Sequence, residues 1–170
     1  MVFEAASIAP REFKADDIAA KAYGTPPKAP GFRIEDDIAD AGASGWHLSV
    51  GELTRLLGEF RRGGSIMSPR RAERLMSNFY GLDPPEIATN AGPVYRKGGR
   101  VFAPGQTMDS AIYLMPNDIE FAIFVNSGKG TTVTAPSYLD DIPKLIQDSV
   151  EFLGGSRLSP LSGTTARFEG

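Results

Sequence analysis

Tyr95-Arg96-Lys97-Gly98-Gly99-Arg100, followed by the run from Ser110 to Asn126, decides the fold of this 170-residue chain. The first piece reads as a short strand carrying an exposed Lys-Gly-Gly. The second reads as two longer strands joined by a tight turn at Pro116-Asn117-Asp118. Ala111, Tyr113 and Met115 alternate with Ile112 and Leu114, and Ile119, Phe121, Ile123 and Val125 alternate with Ala122 and Phe124. That period of two belongs to strands. Both faces of the last run are apolar, which suits a strand covered on both sides, and Pro-Asn-Asp supplies hairpin chemistry. A lysine beside two glycines on a strand edge can turn main-chain N–H groups toward a substrate carbonyl, the geometry an oxyanion hole needs. Without further context the same tripeptide is a turn leading into a strand, with a solvated lysine.

Upstream the period becomes helical. Ser49 with Glu52 three residues later forms a capping box, in which each side chain satisfies an orphan main-chain N–H. Val50, Leu53, Leu56, Leu57 and Phe60 then recur at helical spacing until Gly63-Gly64. Ser68-Pro69 is a second start, a hydroxyl N-cap with proline at the first helical position. Ala72, Leu75, Met76 and Phe79 form its buried stripe, and Gly81 is the expected C′ residue. Downstream, Gly128-Lys129-Gly130 closes the last strand and leads to a helix within residues 137–153. Pro143 requires a fresh start there, capped by Asp140 or Asp141, with Ile142, Leu145, Ile146, Val150 and Leu153 as the apolar side.

Residues 1–48 are the least regular. The segment from Gly24 to Gly31 is a breaker cluster, a short helix is expected from Arg11 to Ala22, and the rest reads as extended loop. The predicted fold class is α+β, an α/β sandwich remnant. Its antiparallel sheet has about three strands, near 94–98, 109–115 and 119–126, packed with helices near 50–62, 69–80 and 137–153. Residues 1–153 form one domain, and 154–170, rich in Gly, Ser and Thr, a flexible tail.

Composition narrows the function classes. A hydrophobic content of 41% and a charged content of 23% are those of an ordinary globular protein, and a formal charge of −3 leaves no electrostatic footprint for nucleic acid. Arg61-Arg62 and Arg70-Arg71 read as solvated surface near helix ends. With no cysteine, neither a disulfide framework nor a thiolate metal site can form, so cytoplasm and periplasm suit the chain equally. No apolar run reaches membrane-spanning length, and the first residues lack the basic and apolar regions of a signal peptide. If the protein is exported, the signal lies on a longer precursor.

Several short motifs occur in a fixed order. Gly45-Trp46-His47-Leu48 leads into Ser49-Val50-Gly51-Glu52, after Ala43-Ser44; Tyr80-Gly81 follows the second helix; Lys97-Gly98-Gly99 lies on a strand; Met115-Pro116 and Val125-Asn126-Ser127 end the next two. Over roughly residues 22–153 this order resembles the C-terminal part of the serine β-lactamase and penicillin-binding-protein superfamily, nearest its class C-like branch of esterases and D-aminopeptidases. Lys97-Gly98-Gly99 stands where that family has Lys-Thr-Gly or His-x-Gly on an edge strand. The resemblance implies that Lys97 holds a substrate carboxylate or helps the proton network, that the Arg100 main-chain N–H forms half of the oxyanion hole, and that the nucleophile's own N–H forms the other half. The connection between Gly99 and Met108 reads as several residues longer than the family's.

The rest of such a site is not in this sequence. No serine has a lysine three positions later, and no Tyr or Ser precedes an Asn by two, so the family's Ser-x-x-Lys and Tyr-x-Asn are lacking. His47 is the only histidine, a packed or capping residue beside Trp46 rather than the base of a triad. Asp36-Asp37 and Asp140-Asp141 are paired carboxylates without a catalytic spacing. One histidine and scattered acids recommend no metal site, and no cofactor is expected. Gly128-Lys129-Gly130-Thr131-Thr132 lacks the phosphate-loop frame and reads as a turn.

Three functions follow as expectations. The chain is the C-terminal portion of a serine hydrolase acting on esters, amides, β-lactams or D-amino-acid peptides, inactive alone and completed by an N-terminal half. Otherwise it is a non-catalytic module that associates through a sheet edge, or a gene fragment with no independent role. The expected partners are the missing half or a second copy of the chain, paired through residues 119–126, and a small acyl substrate once the site is complete. Nucleic acid and membrane are not expected.

Overall fold

A computed structural model describes residues 2–8, 48–103, 106–129 and 134–153. The helix expected from Arg11 to Ala22, the paired Asp36-Asp37, Trp46, His47 and the tail after 153 lie outside them. The first residues include one helical turn, α1 (Val2–Ala5), where only irregular chain was expected; Ala6 and Ile8 beside it are buried.

Helix α2 (Val50–Gly58) starts on the predicted capping box. The Ser49 hydroxyl accepts the Glu52 N–H at 3.2 Å, and the Glu52 carboxylate accepts the Ser49 N–H at 2.8 Å. The helix then widens into a π-helical turn, Glu59–Gly63, closed by Gly64 in the left-handed region at φ 80°. Helix α3 (Pro69–Ser77) has Pro at its start, but the Ser68 side chain makes no capping hydrogen bond. It also ends earlier than Gly81. Phe79 takes the left-handed position at φ 56°, with the Tyr80 N–H donating to Leu75 C=O and the Phe79 N–H to Met76 C=O, both at 3.0 Å. That is a Schellman ending on a residue that disfavours it by roughly 1 kcal/mol. The Phe79 ring packs edge-on against Tyr95 at 5.9 Å between centroids, a contact of about the same size.

The sheet is antiparallel with four strands in the order β1-β2-β3-β4: β1 (Ile87–Thr89), β2 (Gly92–Ala103), β3 (Gln106–Met115) and β4 (Ile119–Val125). The predicted three strands are present, and β1 is an addition. Its three residues after Pro84-Pro85 are too few to carry a period. The long connection expected between Gly99 and Met108 is instead strand: pairing runs from Tyr95↔Leu114 through Gly99↔Ser110 to Ala103↔Gln106. Pro104 and Gly105, between the two paired ends, lie outside the described residues. Between β3 and β4, Asn117 and Asp118 both lie near φ 60°, which Asn and Asp tolerate better than other side chains.

Register assigns the faces. Val94, Ala111 and Tyr113 pack with Leu139 and Ile146 under α4 (Ile142–Leu153). Leu114, with the partly buried Tyr95 and Ile112, packs with Leu57 and Met76 under α2 and α3. The sheet therefore lies between a helix pair and a C-terminal helix. Pro143 is tolerated as the second residue of α4, and the Asp141 C=O accepts the first helical bond from the Leu145 N–H at 3.0 Å.

Arg61 is largely withdrawn from solvent, while Arg62 stays exposed as expected but is paired. The π-helical turn aims both at the β3–β4 hairpin. Arg61 donates to Met115 C=O at 2.7 Å and to Glu120 at 3.3 Å; Arg62 pairs with Glu120 and donates to Asp118 C=O at 3.1 Å. Among the described residues no helix is long and apolar enough to cross a membrane.

The two helix starts give a paired prediction. Ser49→Ala lowers the unfolding free energy by about 1 kcal/mol, whereas Ser68→Ala changes it by less than about 0.5 kcal/mol, because only Ser49 makes a capping bond. Urea denaturation followed by circular dichroism measures both.

Candidate functional site

Strand β1 covers β2 only at Gly92–Val94. From Tyr95 onward the outer edge of β2 is met by the loop that leaves α3. The Asp83 N–H donates to the Arg96 C=O at 2.8 Å, and the Gly98 N–H donates to Asp83 Oδ2 at 2.7 Å. Lys97 Nζ donates to Asp83 Oδ1 at 2.7 Å. Leu82, packed in the α2–α3 core, anchors this loop beside the strand. Main-chain groups of alternate residues point the same way along an antiparallel strand. Arg96 and Gly98 therefore fix the direction of the Arg100 N–H, which lies on the same outer edge.

The four predicted site residues are thus consecutive on one strand but divided between its faces. Lys97 and Gly99 lie on the side of α2 and α3; Gly98 and Arg100 lie on the side of α4. The Lys97 ammonium and the Gly98 N–H converge on a single carboxylate. Gly98 has room for a Cβ, 3.5 Å from Asp83, whereas a Cβ on Gly99 would come within 2.7 Å of Ser110 Oγ. A side chain at 99 requires the Ser110 hydroxyl to turn aside, whereas one at 98 does not.

The Arg100 side chain serves a different group. Its Nε donates to Asp109 Oδ1 at 2.6 Å and its Nη2 to Oδ2 at 3.3 Å, while Nη1 reaches Ala135 C=O at 2.7 Å. The Ser137 hydroxyl donates to Asp109 Oδ2 at 2.6 Å and accepts the Leu139 N–H at 2.9 Å. Asp140 accepts the Ser137 N–H at 2.7 Å. Asp109 is 5% exposed and Ser137 is equally buried. The Asp109 hydrogen bond, reinforced by charge against the opposing effect of burial, raises the Arg100 pKa further above its ordinary value. This network ties the segment before α4 to the β2–β3 hairpin. It holds the Ser137 hydroxyl against the Asp109 carboxylate. Sequence reasoning missed Asp83, Asp109 and Ser137; an aspartate inside an apolar strand, where Asp is depleted, was the available signal for one of them.

Other sequence candidates resolve as structure. Asp140 and Asp141 organise the approach to α4, and Lys129 lies over the Tyr138 ring at 5.3 Å, a cation–π contact. Among the described residues no group of three His, Cys, Asp or Glu side chains is placed to hold a metal ion. No family model, curated protein or solved structure matches the chain.

Two expected outcomes follow from these carboxylates. Asp109→Ala leaves the Arg100 guanidinium and Ser137 without their acceptor and lowers stability by about 3 kcal/mol, measurable by urea denaturation. For Asp83, partial burial favours the neutral acid, but the hydrogen bonds from Lys97 and Gly98 and the charges of Lys97 and Arg96 outweigh it, and the pKa falls below its ordinary value of 3.8. A lowered folded-state pKa means that the stabilisation is complete above the ordinary value and is lost as pH falls through the folded one. A carbon-13 NMR titration of the Asp83 carboxyl is expected to have its midpoint below 3.8; a midpoint above that value contradicts the geometry.

Proposed function

We propose that this chain is the C-terminal portion of a β-lactamase-like serine hydrolase. It contributes the edge strand of an acyl-transfer site whose substrates are esters, amides, β-lactams or D-amino-acid peptides. The observation that carries this reading is the carboxylate bound between the Lys97 ammonium and the Gly98 N–H, at 2.7 Å from each. An ammonium and an outward main-chain N–H together bind an anion on this edge, which is what a substrate carboxylate or a developing oxyanion requires. The direction of the Arg100 N–H and the placement of a helix pair on the Lys97 face support the same reading. In it, Lys97 orients a substrate carboxylate, the Arg100 N–H stabilises the oxyanion, and serine, lysine and tyrosine come from a complementary half.

The reading is tested with nitrocefin and p-nitrophenyl acetate. The isolated chain turns over neither. A polypeptide that carries Ser-x-x-Lys and Tyr-x-Asn, encoded upstream in the same frame, restores turnover on mixing. Lys97→Ala then lowers kcat/KM by roughly tenfold to a hundredfold, the worth of about 1.5–3 kcal/mol for a hydrogen bond to a charged group. Turnover by the isolated chain that is lost in Lys97→Ala overturns the requirement for a second half. Restored turnover that is indifferent to Lys97→Ala overturns the role of this strand.

A second reading is favoured by β4, the last strand of the sheet among the described residues. Ile119 and Phe124 on it are 41% and 46% exposed. A long apolar edge is a template for strand pairing, and in this reading the chain is a non-catalytic module that pairs β4 with a second copy of itself. Light scattering then gives a dimer that Phe124→Lys converts to monomer; a wild-type monomer at high concentration removes this reading.

A further inference from the structure

Asp83 satisfies the β2 edge in an unusual way. An extended peptide lying antiparallel on this edge would donate an N–H to the Arg96 C=O and offer a carbonyl to the Gly98 N–H. Asp83 makes both bonds from one residue, its main-chain N–H to Arg96 and its carboxylate to Gly98. The second carboxylate oxygen takes the Lys97 ammonium. One side chain therefore imitates a bound peptide and a bound anion together. Lys97 and Asp83 are 51% and 35% exposed, so both stand where a ligand arriving from solvent reaches them. The loop that carries Asp83 begins just after Gly81, which sits at φ 76°, a conformation glycine adopts without penalty.

We propose that Asp83 is a built-in competitor for the β2 edge. It occupies the carboxylate position formed by Lys97 and Gly98, and a carboxylate-bearing ligand binds there only by displacing it. This rests on the reading of that edge as an anion-binding one. A group tethered by a short chain competes at an effective concentration in the millimolar range or above. It therefore suppresses weakly bound carboxylates while yielding to a ligand that gains further contacts along the strand. The ligand class so favoured is an extended acyl compound or peptide with a carboxylate placed to meet Lys97.

The test uses the full chain labelled with nitrogen-15, as wild type, Asp83→Ala and Asp83→Asn, titrated with sodium acetate at constant ionic strength. Acetamide is the neutral control, and the Gly98 and Lys97 amide shifts are the readout. In Asp83→Ala the Gly98 amide moves saturably with acetate, at an apparent Kd at least about tenfold below that of wild type, and acetamide leaves it still. An equal response of wild type and Asp83→Ala overturns the competition while leaving the anion-binding edge in place. A Gly98 amide that ignores acetate in both, in well-dispersed spectra, overturns the anion-binding reading and this proposal with it. If Asp83→Ala loses spectral dispersion, Asp83→Asn, which keeps an acceptor for the Gly98 N–H but not the charge, decides by the same comparison.

Discussion

Asp109 lies within β3, almost completely buried, and the register of the neighbouring strand answers its charge through Arg100. Desolvating an isolated carboxylate costs several kcal/mol. Here the Arg100 guanidinium grips both oxygens from β2 and the Ser137 hydroxyl adds a third donor from the segment before α4. The pairing Arg100↔Asp109 is a register statement as well as an ion pair. With Arg100 committed to the α4 face, the pleat sends Lys97, three residues earlier, to the opposite face and leaves the Gly98 and Arg100 N–H groups on the outer edge. A slip of one residue would exchange the faces, remove the partner of Asp109 and turn the lysine away from α2 and α3. The position of the candidate site is therefore a consequence of a buried charge on the other side of the strand.

The far end of the sheet is held by a second cluster of opposite arrangement. Glu120 belongs to β4, and its two arginines come from the widened last turn of α2. Arg61 also donates to the Met115 carbonyl, so the turn between β3 and β4 is tied to the helix layer rather than left to its own main-chain bonds. One cluster joins β2 and β3 to the approach to α4; the other joins β3 and β4 to α2. Strand β3, shared by both, has Tyr113 and Leu114 buried on opposite faces.

Local chemistry was legible in the sequence, and non-local polar pairing was not. The capping box at Ser49 and Glu52 involves two residues three apart and appears as read. So does the hairpin at Pro116-Asn117-Asp118, where the turn residues alone permit the left-handed conformation. Gly81 is the better left-handed residue in isolation, yet α3 ends on Phe79, which gains a contact with Tyr95 that only the folded chain supplies. Gly98 and Gly99 weaken strand propensity and shorten the expected strand, whereas pairing carries β2 on to Ala103. Nothing local marks Asp83, whose partners lie 14 and 15 residues away. Lys97, its strand and its exposure are legible in the sequence; its neutralising partner is not.

Strand β2 thus binds two carboxylates, Asp109 of β3 and Asp83 of the loop after α3, under very different constraints, and the difference in magnitude separates structure from candidate function. Releasing Asp109 from Arg100 would expose a buried charge to an apolar layer, a change on the order of 3–5 kcal/mol, so that pair does not exchange. Asp83 and Lys97 are partly solvated, and ion pairs of that kind are worth about 0–1 kcal/mol, with the Gly98 bond adding roughly 1.5 kcal/mol or more as a hydrogen bond to a charged acceptor. A neutral acceptor at 83 would give the Gly98 N–H a weaker hydrogen bond and leave the Lys97 ammonium without its counter-charge, so the position prefers negative charge. The Gly98 N–H supplies direction and the Lys97 ammonium supplies charge selectivity. The small free energy holding Asp83 there makes the position exchangeable, whereas the buried pair behind it keeps the strand that bears it in register.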